Sequence, residues 1–224
     1  WAAQTAPDVQ RSFGLVSCSE WTGVPLSLLL NEVGVKAGAS WVIAEGADAC
    51  RMERSIPMAK AMENILVAYG QNGEALRPAQ GYPLRLIIPG WEGNTNVKWL
   101  HSLKVADQAY MARDETSKYT DLMPDGKARI FTYQMEAKSV ITYPSGGQKL
   151  PGPGLYELTG LAWSGRGRVE RVEITTDGGK TWVKANLQEP RLPIAFTRFR
   201  LPWRFDGREA VIASRATDES GYVQ

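Results

Sequence analysis

Tyr143-Pro144-Ser145-Gly146-Gly147-Gln148-Lys149-Leu150-Pro151-Gly152-Pro153-Gly154 separates two halves of different character in a sequence of 224 residues. Its prolines and glycines punctuate the chain and leave no apolar period, so it predicts a joint with no helix across it. Beyond it only strand patterns follow. Tyr156, Leu158 and Ala162 alternate with polar or small partners, and Val172 and Ile174 with Arg171 and Glu173. Phe199 and Leu201 alternate with Arg198 and Arg200, and Ile212 with Ser214 closes the set. Asp177-Gly178-Gly179 is a tight turn leading into Thr181-Trp182-Val183. Short strands with turns every ~10 residues predict an immunoglobulin-like β-sandwich over 143–224, with no long helix.

The half before the joint, 1–142, is mixed. Leu26, Leu29, Leu30 and Val33 recur at helical spacing, with Pro25 at the start and Gly34 at the end, which predicts a short amphipathic helix. Trp41–Ala44 reads as a buried strand. Ser55 and Pro57 open a second helix, whose apolar positions are Met58, Ala61, Met62 and Ile65. Ile65–Tyr69 and Tyr82–Ile88 read as strands, with the hairpin signal Asn72-Gly73 between them. Leu84 and Leu86 share one buried face of the later strand, so Arg85 points to the other. The fold class expected is α+β: a mixed α/β domain running into a sandwich.

Bulk properties exclude some functions. At 43% hydrophobic and 22% charged the composition is that of an ordinary globular protein able to bury its own core. A net charge of +2 argues against nucleic acid or an anionic membrane as the main partner, since both usually need a concentrated basic face. No apolar run is long enough to span a bilayer. The sequence holds one histidine, His101, so a histidine-rich metal site is excluded and only His101 could serve as a triad base. Cys18 and Cys50 fit no compact zinc spacing. Two buried thiols are the first reading, a disulfide the second, and a metal or catalytic thiol the last. The chain starts at Trp1 without an initiator Met and stops at Gln224 without a closing turn, so an internal fragment is expected.

Candidate chemistry lies in Gln80-Gly81-Tyr82-Pro83-Leu84-Arg85-Leu86-Ile87-Ile88-Pro89-Gly90 and in Gly93-Asn94-Thr95-Asn96-Val97-Lys98-Trp99. Two cations, Arg85 and Lys98, flank a turn rich in Gly and Asn. Backbone amides in such turns cradle anions, and Arg adds bidentate donation to phosphate. By physics alone, an Arg on a strand and a Lys after a turn are usually solvated.

The Gly-Tyr-Pro-Leu-Arg run, the following Pro-Gly and the Val-Lys-Trp after it together resemble the sulfite oxidase family. The order of parts agrees: Ser55-Ile56-Pro57, then Asn72-Gly73, then these motifs. Trp163-Ser164-Gly165, Asp177-Gly178-Gly179 and Trp182 look like the family's dimerisation domain. Ser117–Gly126 and Ser164-Gly165-Arg166-Gly167-Arg168 are most similar to the sulfane or sulfite dehydrogenases of bacterial thiosulfate oxidation.

The resemblance implies a molybdenum–molybdopterin cofactor held by the first half. It places Arg85 and Lys98 on the cofactor, Val97 between them as a backbone contact, and Asp48 near the pterin. Asp48 also reads as a loop-capping residue. Tyr119 matches an active-site tyrosine near the metal, where a phenol can donate to an oxo group or a substrate anion. Arg85, Lys98 and Tyr119 are therefore expected on one concave surface. Oxygen-atom transfer to sulfite or protein-bound sulfane, electron delivery to a cytochrome c, a homodimer with Trp203 and Phe205 as candidate contacts, and a periplasmic location are implied likewise. No Cys-x-x-Cys-His haem motif occurs.

There are departures from the family. Gln80 and Asn96 stand where animal members carry histidines that touch the cofactor. The family's metal-ligating cysteine lies in a Cys-x-Gly-Asn context that is absent, and Cys18 matches no ligand position. That cysteine is expected upstream of Trp1, and a substrate-binding arginine beyond Gln224. A non-catalytic immunoglobulin-like adhesion module is the alternative, and it leaves Arg85, Lys98 and Tyr119 unexplained.

Overall fold

The computed structural model describes residues 16–130 and 133–224. The chain forms two compact units dividing between Tyr133 and Gln134, earlier than the joint read from composition. The reason is strand pairing. β10 (Lys138–Tyr143) is antiparallel to β11 (Gly154–Trp163), with Val140 opposite Leu161. The Pro/Gly stretch is thus a connection between neighbouring strands inside the second unit.

The first unit, Ser19–Tyr133, is richer in strand than the sequence suggests. In one sheet β1 (Trp21–Pro25) pairs with β4 (Leu66–Gln71), which also holds β5 (Glu74–Ala75) and β6 (Arg85–Ile87). In a second, β2 (Trp41–Gly46) lies between β3 (Glu53–Pro57) and β7 (Leu100–Ala106). A hairpin of β8 (Thr120–Leu122) and β9 (Ala128–Ile130) follows α3 (Arg113–Lys118). Leu26 and Leu30 of α1 (Leu26–Val33) join Val42, Ile56, Val67, Leu86 and Val97 in one apolar core.

Helix α1 runs as predicted and stops at Gly34, whose φ of 72° suits a residue without a Cβ. Only Leu26 and Leu30 are buried, whereas Val33 is exposed. The second predicted helix shrinks to α2 (Met58–Ala61), because Ser55, Ile56 and Pro57 pair with β2. Ser55 is drawn into that strand by Glu115, which accepts its N–H at 2.6 Å and its hydroxyl at 2.9 Å. Asn72-Gly73 forms the predicted hairpin, with positive φ at both residues. Leu84 is partly exposed, contrary to the buried position expected for it. Both cysteines are free and exposed rather than buried, Cys18 ahead of β1 and Cys50 in the β2–β3 loop.

In the second unit β10, β11, β15 (Thr197–Phe205) and β14 (Asn186–Leu187) form one sheet in that order. β13 (Val183–Lys184), β12 (Val169–Thr175) and β16 (Ala213–Asp218) form the other. Ile141, Leu158, Ala162 and Phe199 of the first meet Val172, Ile174 and Ala216 of the second in a common core. Among the described residues no helix follows Lys118, and none is long and apolar enough to cross a membrane.

The Asp177 turn is held by its own carboxylate. Asp177 accepts from the Thr181 hydroxyl at 2.6 Å, the Thr181 and Lys180 N–H groups at 3.0 Å, and the Thr175 hydroxyl at 2.7 Å. The Thr181 hydroxyl, first among these donors, holds the carboxyl far below the usual carboxylate range. A depressed folded-state pKa contributes stability above the unfolded value of about 3.9, lost as pH falls from there. Asp177→Ala is therefore expected to lower the thermal midpoint at neutral pH. The gap to wild type should close as the buffer is acidified below about pH 4, read by calorimetry across a pH series.

Candidate cofactor-binding site

Gly81 brings the two predicted cations together. It follows the turn Pro78–Gln80 in the left-handed region, φ 108°, and a Cβ there would lie 3.0 Å from the Lys98 Cβ and 3.2 Å from the Arg85 Cβ. Arg85 Nη1 donates to the Gln80 carbonyl at 2.9 Å and Nη2 to the Asn96 carbonyl at 3.3 Å. Lys98 Nζ donates to the Ala79 carbonyl at 3.0 Å. The Arg85 guanidinium also lies 4.8 Å from the centre of the Trp21 ring.

Arg85 is only 9% exposed, forms no ion pair with a described carboxylate, and has a buried Nε without a partner. Burial pushes its pKa below the ordinary arginine value. A buried cation held only by carbonyl oxygens lacks a counter-charge, and an anionic ligand would supply one. The residues present therefore fit the anionic end of a pterin phosphate.

Val97 precedes Lys98, and the loop that carries Asp48 is bonded to the same segment. Val97 is buried in the core, its N–H donates to the Thr95 carbonyl, and its carbonyl accepts from Leu86 N–H at 2.8 Å. Ala47 N–H donates to the Trp99 carbonyl at 2.8 Å, which lays the Asp48 loop against the 97–99 segment. A Cβ on Gly46 would come within 2.8 Å of the Lys98 carbonyl, so this approach needs glycine. Asp48 itself accepts from Met52 N–H at 3.0 Å, a loop-capping contact. Asn96 is a latch, with its side chain accepting from Ile88 N–H at 2.7 Å and donating to the Glu92 carbonyl at 3.0 Å. The Gln80 side chain is exposed.

Tyr119 lines a cavity that includes neither Arg85 nor Lys98, so this cavity does not bring together the three residues expected on one concave surface. Tyr119 follows α3 as its C-cap, and the Arg54 guanidinium lies 4.4 Å from its ring centre. Arg54, Glu92, Asn94, Thr95, Glu115 and Tyr133 share that cavity, whose volume of about 10 Å³ suits one water. Arg54, at 2% exposure, carries no signal of burial in the sequence, because an arginine in a short strand beside Glu53 reads as a solvated face. Its burial depends on Asn94, whose carbonyl accepts from Nε at 3.0 Å. Tyr133 stacks on Trp91 at 4.3 Å, and burial, reinforced by the nearby Glu115 charge, raises its phenol pKa. The loop from Asn94 to Lys98 thus serves both places: Asn94 and Thr95 face the Tyr119 cavity, while Asn96 and Lys98 border Arg85. Among the described residues, no group of three or more His, Cys, Asp or Glu could hold a metal ion.

Residues 2–113 match the family described as "Oxidoreductase molybdopterin binding domain", and residues 129–224 match "Mo-co oxidoreductase dimerisation domain". The sulfane dehydrogenase SoxCD from Paracoccus pantotrophus is similar at 54% identity and a TM-score of 0.88, over 92% of this chain and 53% of that one. The NADH nitrate reductase of Solanum lycopersicum is 35% identical over 92% of this chain, and the NAD(P)H nitrate reductase of Hordeum vulgare 34% identical over 83%. The chain spans only 27% and 24% of those two reductases. With both domains matched in order, the chain belongs to the sulfite oxidase family of oxidoreductases, whose cofactor is molybdenum–molybdopterin.

Proposed function

We propose that this chain is the molybdopterin-binding and dimerisation part of a periplasmic, homodimeric enzyme that oxidises sulfite or protein-bound sulfane sulfur and passes electrons to a cytochrome c. The observation carrying this reading is the 54% identity to a sulfane dehydrogenase, against 35% to a nitrate reductase. The second half would form the dimer as an immunoglobulin-like sandwich. Trp203 and Phe205, 4.9 Å apart on β15, are candidate contacts.

When bound, the cofactor supplies oxygen-atom transfer and accepts the two electrons removed from sulfur. Arg85 and Lys98 would hold its anionic end, and the burial of Arg85 would strengthen its charge-assisted hydrogen bonds there. The Val97 carbonyl would accept from it, and Asp48 would border the pterin. The Tyr119 phenol donates a hydrogen bond to the substrate's oxygen as charge develops there.

Nitrate reduction, the same transfer in the opposite direction, is the second reading and is favoured by the similarity to plant nitrate reductases. The full-length protein separates them. Cytochrome c reduction with sulfite or a sulfane-loaded carrier protein supports sulfur oxidation, and nitrite formation with neither sulfur activity overturns it. In the active protein, Tyr119→Phe is expected to lower kcat by about 10- to 100-fold with molybdenum content unchanged.

A further inference from the structure

We propose that Arg54 is a positioning residue for Tyr119, a role that rests on the reading of Tyr119 as an active-site group. Tyr119 stands just past a helix of six residues, and its N–H makes a long 3.3 Å bond to the Glu115 carbonyl. So short a helix fixes little by itself.

Arg54 covers one face of the ring. Its Nε donates to the Asn94 carbonyl and its Nη1 to the Glu53 carbonyl, both at 3.0 Å, so two backbone oxygens fix the guanidinium plane. The guanidinium carbon lies 4.4 Å from the centre of the phenol ring, within cation–π range. A buried arginine is costly to keep without an acidic partner, and Arg54 forms no ion pair with a described carboxylate. Its Nη2 is buried and unpartnered, and it borders the cavity that Tyr119 also lines. The contact with the ring and the open donor therefore lie at one place, so a change at Arg54 reaches the chemistry through Tyr119.

The test is a double-mutant cycle in the full-length holoenzyme, with tetranitromethane nitration of Tyr119 followed by mass spectrometry. Arg54→Gln is expected to lower kcat by about tenfold and to change KM by less than about twofold, with molybdenum content at the wild-type level. In the Tyr119→Phe background the same substitution should cost less than about twofold, since the two act as a unit. Nitration of Tyr119 should speed up severalfold in Arg54→Gln, as one ring face loses its cover. Independent effects that multiply, or an unchanged kcat with unchanged nitration, overturn the proposal. If Arg54→Gln fails to fold, Arg54→Lys keeps the charge without the planar face and is expected to show the same changes at reduced size; their absence overturns the proposal. If Tyr119→Phe turns over normally, the active-site reading of Tyr119 falls by itself, and nitration alone decides whether Arg54 positions the ring.

Discussion

In the full-length protein, Arg85→Ala is expected to empty the cofactor site while leaving a folded chain. Arg85 is a buried cation that forms no ion pair with a described carboxylate, so removing it removes a counter-charge for an anionic ligand. Losing charge-assisted hydrogen bonds of about 1.5–3 kcal/mol weakens binding by roughly 10- to 100-fold. Molybdenum per polypeptide, by elemental analysis, and pterin fluorescence after oxidation both read this directly. Arg85→Lys separates charge from shape. A lysine keeps the positive charge but cannot reach the Gln80 and Asn96 carbonyls with a planar fork, so intermediate occupancy is expected. Full molybdenum content in Arg85→Ala would remove Arg85 from the cofactor site. The substitution also frees two carbonyls in the interior, so a modest loss of thermal stability should accompany it.

The second large effect is expected in the sandwich, at a glycine that carries no chemistry. Gly160 lies in β11 opposite Phe199 of β15 and opposite Ile141 of β10. A Cβ there would sit 2.1 Å from Phe199 Cζ and 2.4 Å from the Val140 carbonyl oxygen. Phe199 is fully buried and among the largest side chains of this core, so its ring has no room to withdraw. The carbonyl belongs to the ladder and cannot move without breaking pairing. Overpacking of this kind costs about 3 kcal/mol or more. For a unit of this size, Gly160→Ala should lower the thermal midpoint by more than about 10 °C, and Gly160→Val should prevent folding. Gly152→Ala is the control, since nothing lies within 4 Å of a Cβ there, and it should behave as wild type. A midpoint unchanged in Gly160→Ala would show that the two sheets can part to admit a methyl group.

What the sequence determined about this protein is what near neighbours decide. The Asn72-Gly73 hairpin, the ends of α1, the Asp177 turn and the strand character of the second half all follow from residues within a few positions of one another. Ordered motifs likewise pointed to the family, and the matches to its two domains agree. Pairings between distant residues decided the rest. Local spacing gave Ser55 and Pro57 to a helix, but Glu115, 60 positions away, holds Ser55 in a strand. The Pro/Gly stretch marked a change of composition, yet the units part at Tyr133, because β10 pairs forward with β11. Arg54 carries no local sign of burial, and it is the Asn94 carbonyl, 40 positions on, that takes its Nε inside the first unit. Burying a guanidinium requires acceptors that the local sequence does not contain, so only a fold that brings a distant loop against it can place it there.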